Sequence, residues 1–463
     1  MTDKYALTGV SMLLALAACG GGGGGGGGGS GGAGVPTVPS FSSNPTNEAT
    51  IVSSTASFRS VVTGTPTPTL QWQISTNGGV SFADIPSATT SDYTAPAALV
   101  GDSGTQFRVV ATNGLGAAIS NIATLTVVQS IAVPETGQTT CYAGGAVVNC
   151  AGTGQDGDLK AGVAWPNPRF AVGTGAEADC VTDNLTGLMW LRSPSVTQVN
   201  WATALSNSNS LNICGYSDWR LPNRKEMRSL ANAGSVNNAA TLNSSGFSNV
   251  RSGSYWTSSN NGTSARVLVM NDRFVFSNTK TSTNYYWPAR GDAPAAVAAL
   301  AETGESSCYD ATGGVISCAG AGQDAEIRAG VALPSQRFAI GTGAEAGCVT
   351  DPLTGLMWVQ APSTTASNWD TALSYANNLV FCGYSDWRLP NMNELESISN
   401  SDAGAGYLNA RGFSNIQAGY YWSSTAWLLA GSNDTAMAFL FNGYEISDFK
   451  SVSYYVLPVR AGQ

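Results

Sequence analysis

Histidine is absent from all 463 residues. That removes the commonest general base and the commonest transition-metal ligand, so Ser-His-Asp catalysis and His-based zinc sites are excluded. Charge is scarce as well: Asp, Glu, Lys and Arg make up 11% of the chain, so partner choice rests on where those few charges fall. Residues 1–136 carry 3 basic and 6 acidic groups, residues 137–293 carry 12 and 9, and residues 294–463 carry 6 and 15, for nets of −3, +3 and −9. With an acidic whole, nucleic acid is not an expected partner. After the N-terminal segment no apolar run is long enough to cross a bilayer as a helix. No cofactor and no metal set is expected. Gln155-Asp156-Gly157-Asp158 and Gln323-Asp324-Ala325-Glu326 cluster carboxylates as calcium requires, but each offers too few oxygens for a specific site.

The N-terminus reads as an export signal. Lys4, offset by Asp3, forms a short basic region, Leu7 to Leu16 an apolar stretch, and Ala17-Ala18 the small residues before a cleavage site. Leu16-Ala17-Ala18-Cys19 resembles the lipobox of bacterial lipoproteins, which implies cleavage after residue 18 and lipidation of Cys19. Several acyl chains hold a protein on a membrane without a spanning helix, since each buried methylene contributes roughly 0.8 kcal/mol. Residues 19–34 are then the lipidated cysteine and a glycine-rich tether with no side chains to bury. Gly20 in place of aspartate resembles lipoproteins sorted to the outer membrane, and the localisation expected is the bacterial cell envelope, facing outward.

Residues 35–130 lack cysteine and show short alternating runs, such as Thr55 to Val62, broken by Gly, Pro and Asn, as in a β-sandwich. Gly64-Thr65-Pro66-Thr67-Pro68 leading to Trp72, and Asp102-Ser103-Gly104 leading to Phe107, Val109 and Asn113-Gly114, resemble bacterial immunoglobulin-like domains. Trp72 is the expected core tryptophan. The intersheet disulfide is replaced by Ser60 and Val109. A rigid spacer and a ligand-binding domain are both open readings.

The eight cysteines after Cys19 fall into two sets of four, which in an exported chain implies a disulfide framework. Short loops close most easily, so the expected pairs are Cys141 with Cys150, Cys180 with Cys214, Cys308 with Cys318, and Cys348 with Cys382. An offset of about 168 residues superposes the two halves: Arg169 to Trp190 returns as Arg337 to Trp358 with three differences, and Cys214 to Asn223 returns unchanged as Cys382 to Asn391. The domains are therefore 137–293 and 304–463.

Both copies contain, in order, Asp183/Asp351-x-x-Thr-Gly-Leu-Met-Trp, Gly-Tyr-Ser-Asp-Trp-Arg-Leu-Pro-Asn-x-x-Glu, Tyr255-Trp256-Thr257-Ser258 or Tyr421-Trp422-Ser423-Ser424, and Trp287-Pro288-Ala289-Arg290 or Leu457-Pro458-Val459-Arg460. These motifs resemble the DUF1566 family, the Legionella collagen-like protein C-terminal domain. The resemblance implies a C-type-lectin-like fold, two short helices flanking twisted antiparallel strands. It also implies kinship with formylglycine-generating enzymes through Arg-Leu-Pro-x-x-x-Glu. The expected architecture is thus multidomain: an all-β immunoglobulin-like sandwich followed by two α+β C-type-lectin-like domains.

The same residues have structural explanations. Asn223 with Glu226, and Asn391 with Glu394, form capping boxes at helix starts. Trp201-Ala202-x-x-Leu205 and Trp369-x-x-Ala372-Leu373 place apolar groups at helical spacing. Formylglycine-generating relatives need reactive cysteines, and here every later cysteine has a partner, so no catalytic residue is expected. The calcium-binding triplets of lectins are absent.

The expected function is a surface lipoprotein acting as an adhesin or receptor for a glycan or protein ligand. The alternatives are a structural envelope component and, behind it, an enzyme. Family members imply adhesion to sulfated polysaccharides, which could suit only the first copy, near Arg220, Arg224, Lys225, Arg228, Arg251, Arg266 and Arg273. The copies diverge most over 260–284 and 426–453, where Asn271-Asp272 and Asn442-Gly443 predict β-hairpins. Replaceable hairpins on a fixed scaffold are where binding residues tend to sit. Arg266, Arg273, Trp427 and Tyr444 are accordingly the expected exposed contacts, with neutral drift as the alternative.

Overall fold

A computed structural model describes residues 35–291, 296–335, 337–427 and 434–461; Cys19 and its tether lie outside the described residues. The first domain is a β-sandwich. Its main sheet runs, in hydrogen-bonded order, Glu48–Ile51, Ala123–Val128, Gln106–Asn113, Thr69–Ser75, Ala83–Asp84. Ala56–Arg59 pairs with Asp92–Ala95, and Thr37–Ser43 with Val61–Thr65. Along Gln106–Asn113 the residues Phe107, Val109 and Ala111 alternate inward, as the two-residue period of a strand requires. Trp72 sits opposite Val109 in register and is fully buried, its indole Nε1 donating to the Thr90 carbonyl at 2.9 Å. Ser60 is buried too. Phe58 lies 4.5 Å from Phe107, and both rings pack with Trp72 in the core of the sandwich.

Each later copy has four parts. A short hairpin, Cys141–Ala143 with Ala146–Val148 or Cys308–Tyr309 with Val315–Ile316, comes first and ends in one helical turn, Asp156–Leu159 or Asp324–Ile327. A four-stranded antiparallel sheet follows, built in the first copy from Phe170–Val172, Cys180–Asp183, Met189–Leu191 and Ala289–Arg290. Helices come next, and a three-stranded meander, Ser254–Asn261, Ser264–Val269, Phe274–Thr279, or Tyr421–Ala426, Thr435–Leu440, Tyr444–Phe449, completes the body. All four expected disulfides form.

The helices expected at Trp201 and Trp369 are Trp201–Asn209 and Trp369–Asn377, and those after the prolines are Arg224–Ser229 and Met392–Ser397. Both capping boxes are present: Glu226 N donates to Asn223 Oδ1 at 2.9 Å while Asn223 N donates back to Glu226 Oε2 at 2.8 Å. A third helix was not expected from the sequence. Asn238–Ser244 and Gly404–Asn409 have little apolar periodicity, and in the first copy Asn237 caps the helix through Ala240 N. The hairpins expected at Asn271-Asp272 and Asn442-Gly443 form, but not with two-residue turns. In these two loops only Arg273 and Gly443 carry positive φ, 60° and 86°, the pattern of a loop closed by one left-handed residue.

The motifs that repeat unchanged serve this framework. Asp183 takes a bidentate pair from Arg169 at 3.0 and 2.8 Å and also accepts from Leu185 N and Thr186 Oγ1, fixing the turn before Met189. Arg337 and Asp351 repeat this arrangement. Arg220 grips Glu226 through two hydrogen bonds of 2.7 and 2.6 Å. That carboxylate is engaged on both sides, by a guanidinium and by a helix start, as its structural reading requires.

The two copies exchange arms. Each hairpin-bearing arm, closed by a parallel bridge between Pro134 and Val163 or between Ala301 and Val331, packs on the other copy's body. Gln138 exchanges two hydrogen bonds with the backbone of Ala426, at 2.7 and 2.9 Å, and Lys450 Nζ donates to the Tyr142 carbonyl at 3.0 Å. Reciprocally, Asn260 N donates to Glu305, and Lys280 Nζ to the Tyr309 carbonyl at 3.2 Å. Asn391 Nδ2 reaches the Ala161 carbonyl and Asn223 Nδ2 the Ala329 carbonyl, at 2.8 and 3.0 Å. Copy one therefore completes copy two, and the reverse.

Candidate functional site

The residues expected as exposed contacts lie in the seam between the copies. Arg266 is 1% exposed and Arg273 4%, so neither is offered to solvent. Arg266 Nη2 donates to the Asn442 carbonyl at 3.1 Å and its guanidinium lies 3.8 Å from the Tyr444 ring centroid. Tyr444 donates its hydroxyl proton to Ser277 or accepts from it at 2.7 Å, and Trp427 Nε1 donates to the Asp272 carbonyl at 3.1 Å. The physical reason is that the two meanders pack hairpin to hairpin, so the variable segments face each other.

The expected polyanion patch is internal for the same reason. Arg224 pairs with Glu396 and donates to the hydroxyls of Ser401 and Ser399 at 2.7 and 2.8 Å. Arg228 pairs with Glu445 at 2.8 Å, and Glu445 also accepts from Val275 N. Lys225, buried at the same seam, is pushed down to about 7 by burial. Of the seven cations named, Arg251 alone is exposed. Two ion pairs, Arg224 with Glu396 and Arg228 with Glu445, thus join the copies across a buried interface.

The expected calcium segments are occupied by the fold. Asp156 Oδ2 accepts from Thr136 and Thr425 at 2.6 and 2.7 Å, and Asp324 accepts from Thr303 at 2.7 Å and from Ser259. Burial pushes both carboxyls up to about 6, against those hydrogen bonds, the reverse of what a cation would do. Gln155 and Gln323 bind the backbone of Tyr142 and Tyr309. Among the described residues no group of three or more acidic or cysteine side chains is placed to hold a metal ion.

Two open concavities among the described residues are large enough for a ligand. One, about 890 Å³, lies where the sandwich meets the pair, lined by Val127, Val128, Ile131, Val297, Leu300 and Val331. The other, about 590 Å³, is shared between the copies. The helix of Trp201–Asn209 and Lys280 form one wall, and the second arm, with Tyr309, Asp310, Ile316 and Gln323, forms the other. Lys280 Nζ sits 4.3 Å from the Trp201 ring centroid. Exposed Ser206, Asn209, Thr281 and Asp310 with half-buried Tyr309 present hydroxyl, amide and carboxylate groups beside an aromatic face. That mixture suits a polar ligand with an apolar face, and the volume lies within the range of ligand sites. Tyr309 and Asp310 were not singled out from the sequence, because the groove exists only once the arm has crossed over.

A further polar cluster lies at the surface of each copy: Arg290 pairs bidentately with Asp218 at 2.6 and 3.0 Å and stacks 3.6 Å from the Tyr216 ring, and Arg460, Asp386 and Tyr384 repeat it.

The sequence matches the Lcl C-terminal domain over residues 179–290 and again over 347–460, and a domain of unknown function, DUF8696, over 42–129. No curated protein sequence matches the chain. Similar solved structures include a chimeric titin Z1Z2 functionalized with a KLER peptide from decorin, at 26% identity over 21% of this chain and 99% of that one. Its TM-score is 0.17. The titin M10–obscurin-like 1 Ig complex is similar at 24% identity over 20% of this chain and 96% of that one, also with a TM-score of 0.17. Sidekick-1 immunoglobulin domains 1–5 are 22% identical over 20% of each chain, with a TM-score of 0.18.

Proposed function

Because the chain carries two Lcl C-terminal domains behind a β-sandwich, we propose that it is a surface-exposed lipoprotein. In this reading it is an adhesin or receptor that binds a glycan in the groove its two copies share. Four disulfides fit an extracellular or envelope protein, and no helix among the described residues is long and apolar enough to cross a membrane. In this reading Cys19 anchors the chain, the tether and sandwich lift the pair off the membrane, and each body is a C-type-lectin-like module. In this reading the chain binds rather than catalyses, which its bridged later cysteines and the engagement of Glu226 and Glu394 by Arg220 and Arg388 support.

The observation that carries the proposal is the composite groove. A sugar ring could lie on Tyr309 while its hydroxyls meet Asp310, Asn209 and Ser206. Glycan arrays probed with the full chain should give hits that Tyr309→Ala weakens at least tenfold in titration. Hits unaffected by Tyr309→Ala would move the binding surface elsewhere. The depth of the seam favours a second reading, a structural envelope component, because it consumes the hairpins that were free to diversify; an empty array would support it. Cys19→Ser should release the protein from membranes, and unchanged membrane association would end the lipoprotein reading.

A further inference from the structure

The two arm contacts are built alike but differ chemically at one point. On the first copy's meander, Lys280 Nζ lies 3.0 Å from Asn260 Oδ1, and Glu305 of the second arm accepts from Asn260 N at 3.0 and 3.1 Å. Lys280 and Asn260 are 3% exposed and Glu305 is 4% exposed, so the three groups are buried together beside the groove. On the second copy, Lys450 occupies the matching place, 4.1 Å from the Trp369 ring centroid, but Ala426 stands for Asn260 and Gln138 for Glu305. A lysine, a carboxamide and a buried acid meet on one side only.

We propose that Lys280 and Asn260 become joined by an intramolecular isopeptide bond, assisted by Glu305. Lys280 Nζ has three acceptors around it: the carbonyls of Tyr309 and Asp310, at 3.2 and 3.0 Å, and the Asn260 carboxamide. A neutral amine keeps its two N–H donors on the carbonyls and turns its lone pair to the carboxamide. Burial favours that neutral form by pushing the ammonium down to about 8, the usual way a lysine becomes a nucleophile. The carboxamide is held in place, since Asn260 Nδ2 donates to Gln323 Oε1 at 3.0 Å. The Nζ lone pair forms a bond to Cγ, the Cγ–Nδ2 bond breaks with its electron pair going to nitrogen, and a proton from Nζ passes to that nitrogen. Ammonia leaves, with no oxidant or cofactor required. Glu305 is the positioning residue: it holds Asn260 by its backbone N–H, and burial raises its carboxyl so that it carries a proton to exchange. The bond would tie the first meander strand to the end of the third, beneath the second arm.

Tryptic mapping of the purified full chain tests this. The link joins the peptide of residues 252–266 to that of 274–290, with cleavage after Lys280 blocked and the joined mass lower by about 17 Da, one ammonia. A free peptide ending at Lys280 overturns the proposal. Lys450 is the internal control and should be cleaved normally; a block at both lysines would overturn the proposal by showing that cleavage reports burial. Glu305→Gln can keep the hydrogen bond to Asn260 N, as Gln138 does at Ala426, yet cannot exchange a proton. It should leave the peptides unlinked in a folded chain, and Glu305→Asp should restore the link. A fully linked Glu305→Gln chain would overturn the role of Glu305.

Discussion

The two arm contacts are near-copies in backbone and opposites in chemistry. Where the first arm crosses, a neutral amide, Gln138, satisfies the Ala426 backbone on both its donor and its acceptor side. Where the second arm crosses, Glu305 takes the same place, and a carboxyl can match Gln138 only when it is protonated. The seam between the bodies shows the same division of labour, with cations from the first copy and carboxylates from the second. In this duplicated domain two cations of one copy are thus matched by two carboxylates of the other in a buried seam.

Breaking that complementarity should have the largest effect. Glu445→Ala leaves Arg228 buried opposite nothing, and the loss should be about 3 kcal/mol, because a stranded interior charge costs more than the pair gains. Chemical denaturation checks this, and a loss near zero would mean that water enters the seam. Gly443→Ala should cost about 2 kcal/mol by the same measurement: its φ is 86°, and a Cβ there would sit 2.6 Å from Arg224 Nε. An unchanged midpoint would mean that the loop lies off Arg224.

The carboxyl contrast predicts a pH dependence with a definite sign. Asp156 and Asp324 are both raised to about 6 by burial, so the folded chain holds their protons more tightly than the unfolded chain. Their stabilising contribution is complete below the ordinary carboxylate range and is lost as pH rises through about 6. Stability should therefore fall between about pH 4 and about pH 6, with Glu305, also raised, acting in the same direction, and Asp324→Asn should flatten that fall; a steeper fall in the variant would contradict the sign.

The smallest effect belongs to the rim. Asp218 is largely exposed beside Arg290, and Asp218→Asn should cost less than about 1 kcal/mol. A loss as large as that at Glu445 would erase the distinction between seam and surface.

What could be read in the sequence was local. Asn223 with Glu226, Trp72 in its strand, the periodic helix at Trp201 and the four disulfides each depend on residues near one another, or on a spacing that repeats. The crossing arms depend on pairs such as Gln138 with Ala426 and Arg228 with Glu445, and no local pattern reports contacts at that separation. For that reason Arg266, Arg273, Trp427 and Tyr444 read as replaceable surface and are instead the lining of the seam. One signal did point to it: tandem copies of one domain with nets of +3 and −9 are complementary to each other before they are complementary to any ligand.

The central claim is that the copies form one interlocked unit, and calorimetric unfolding of the full chain beside Glu445→Ala tests it most directly. The account predicts that both copies unfold in one cooperative transition and that the substitution moves the whole of it to lower temperature. Two resolved transitions for the copies, with only one displaced by the substitution, would contradict it.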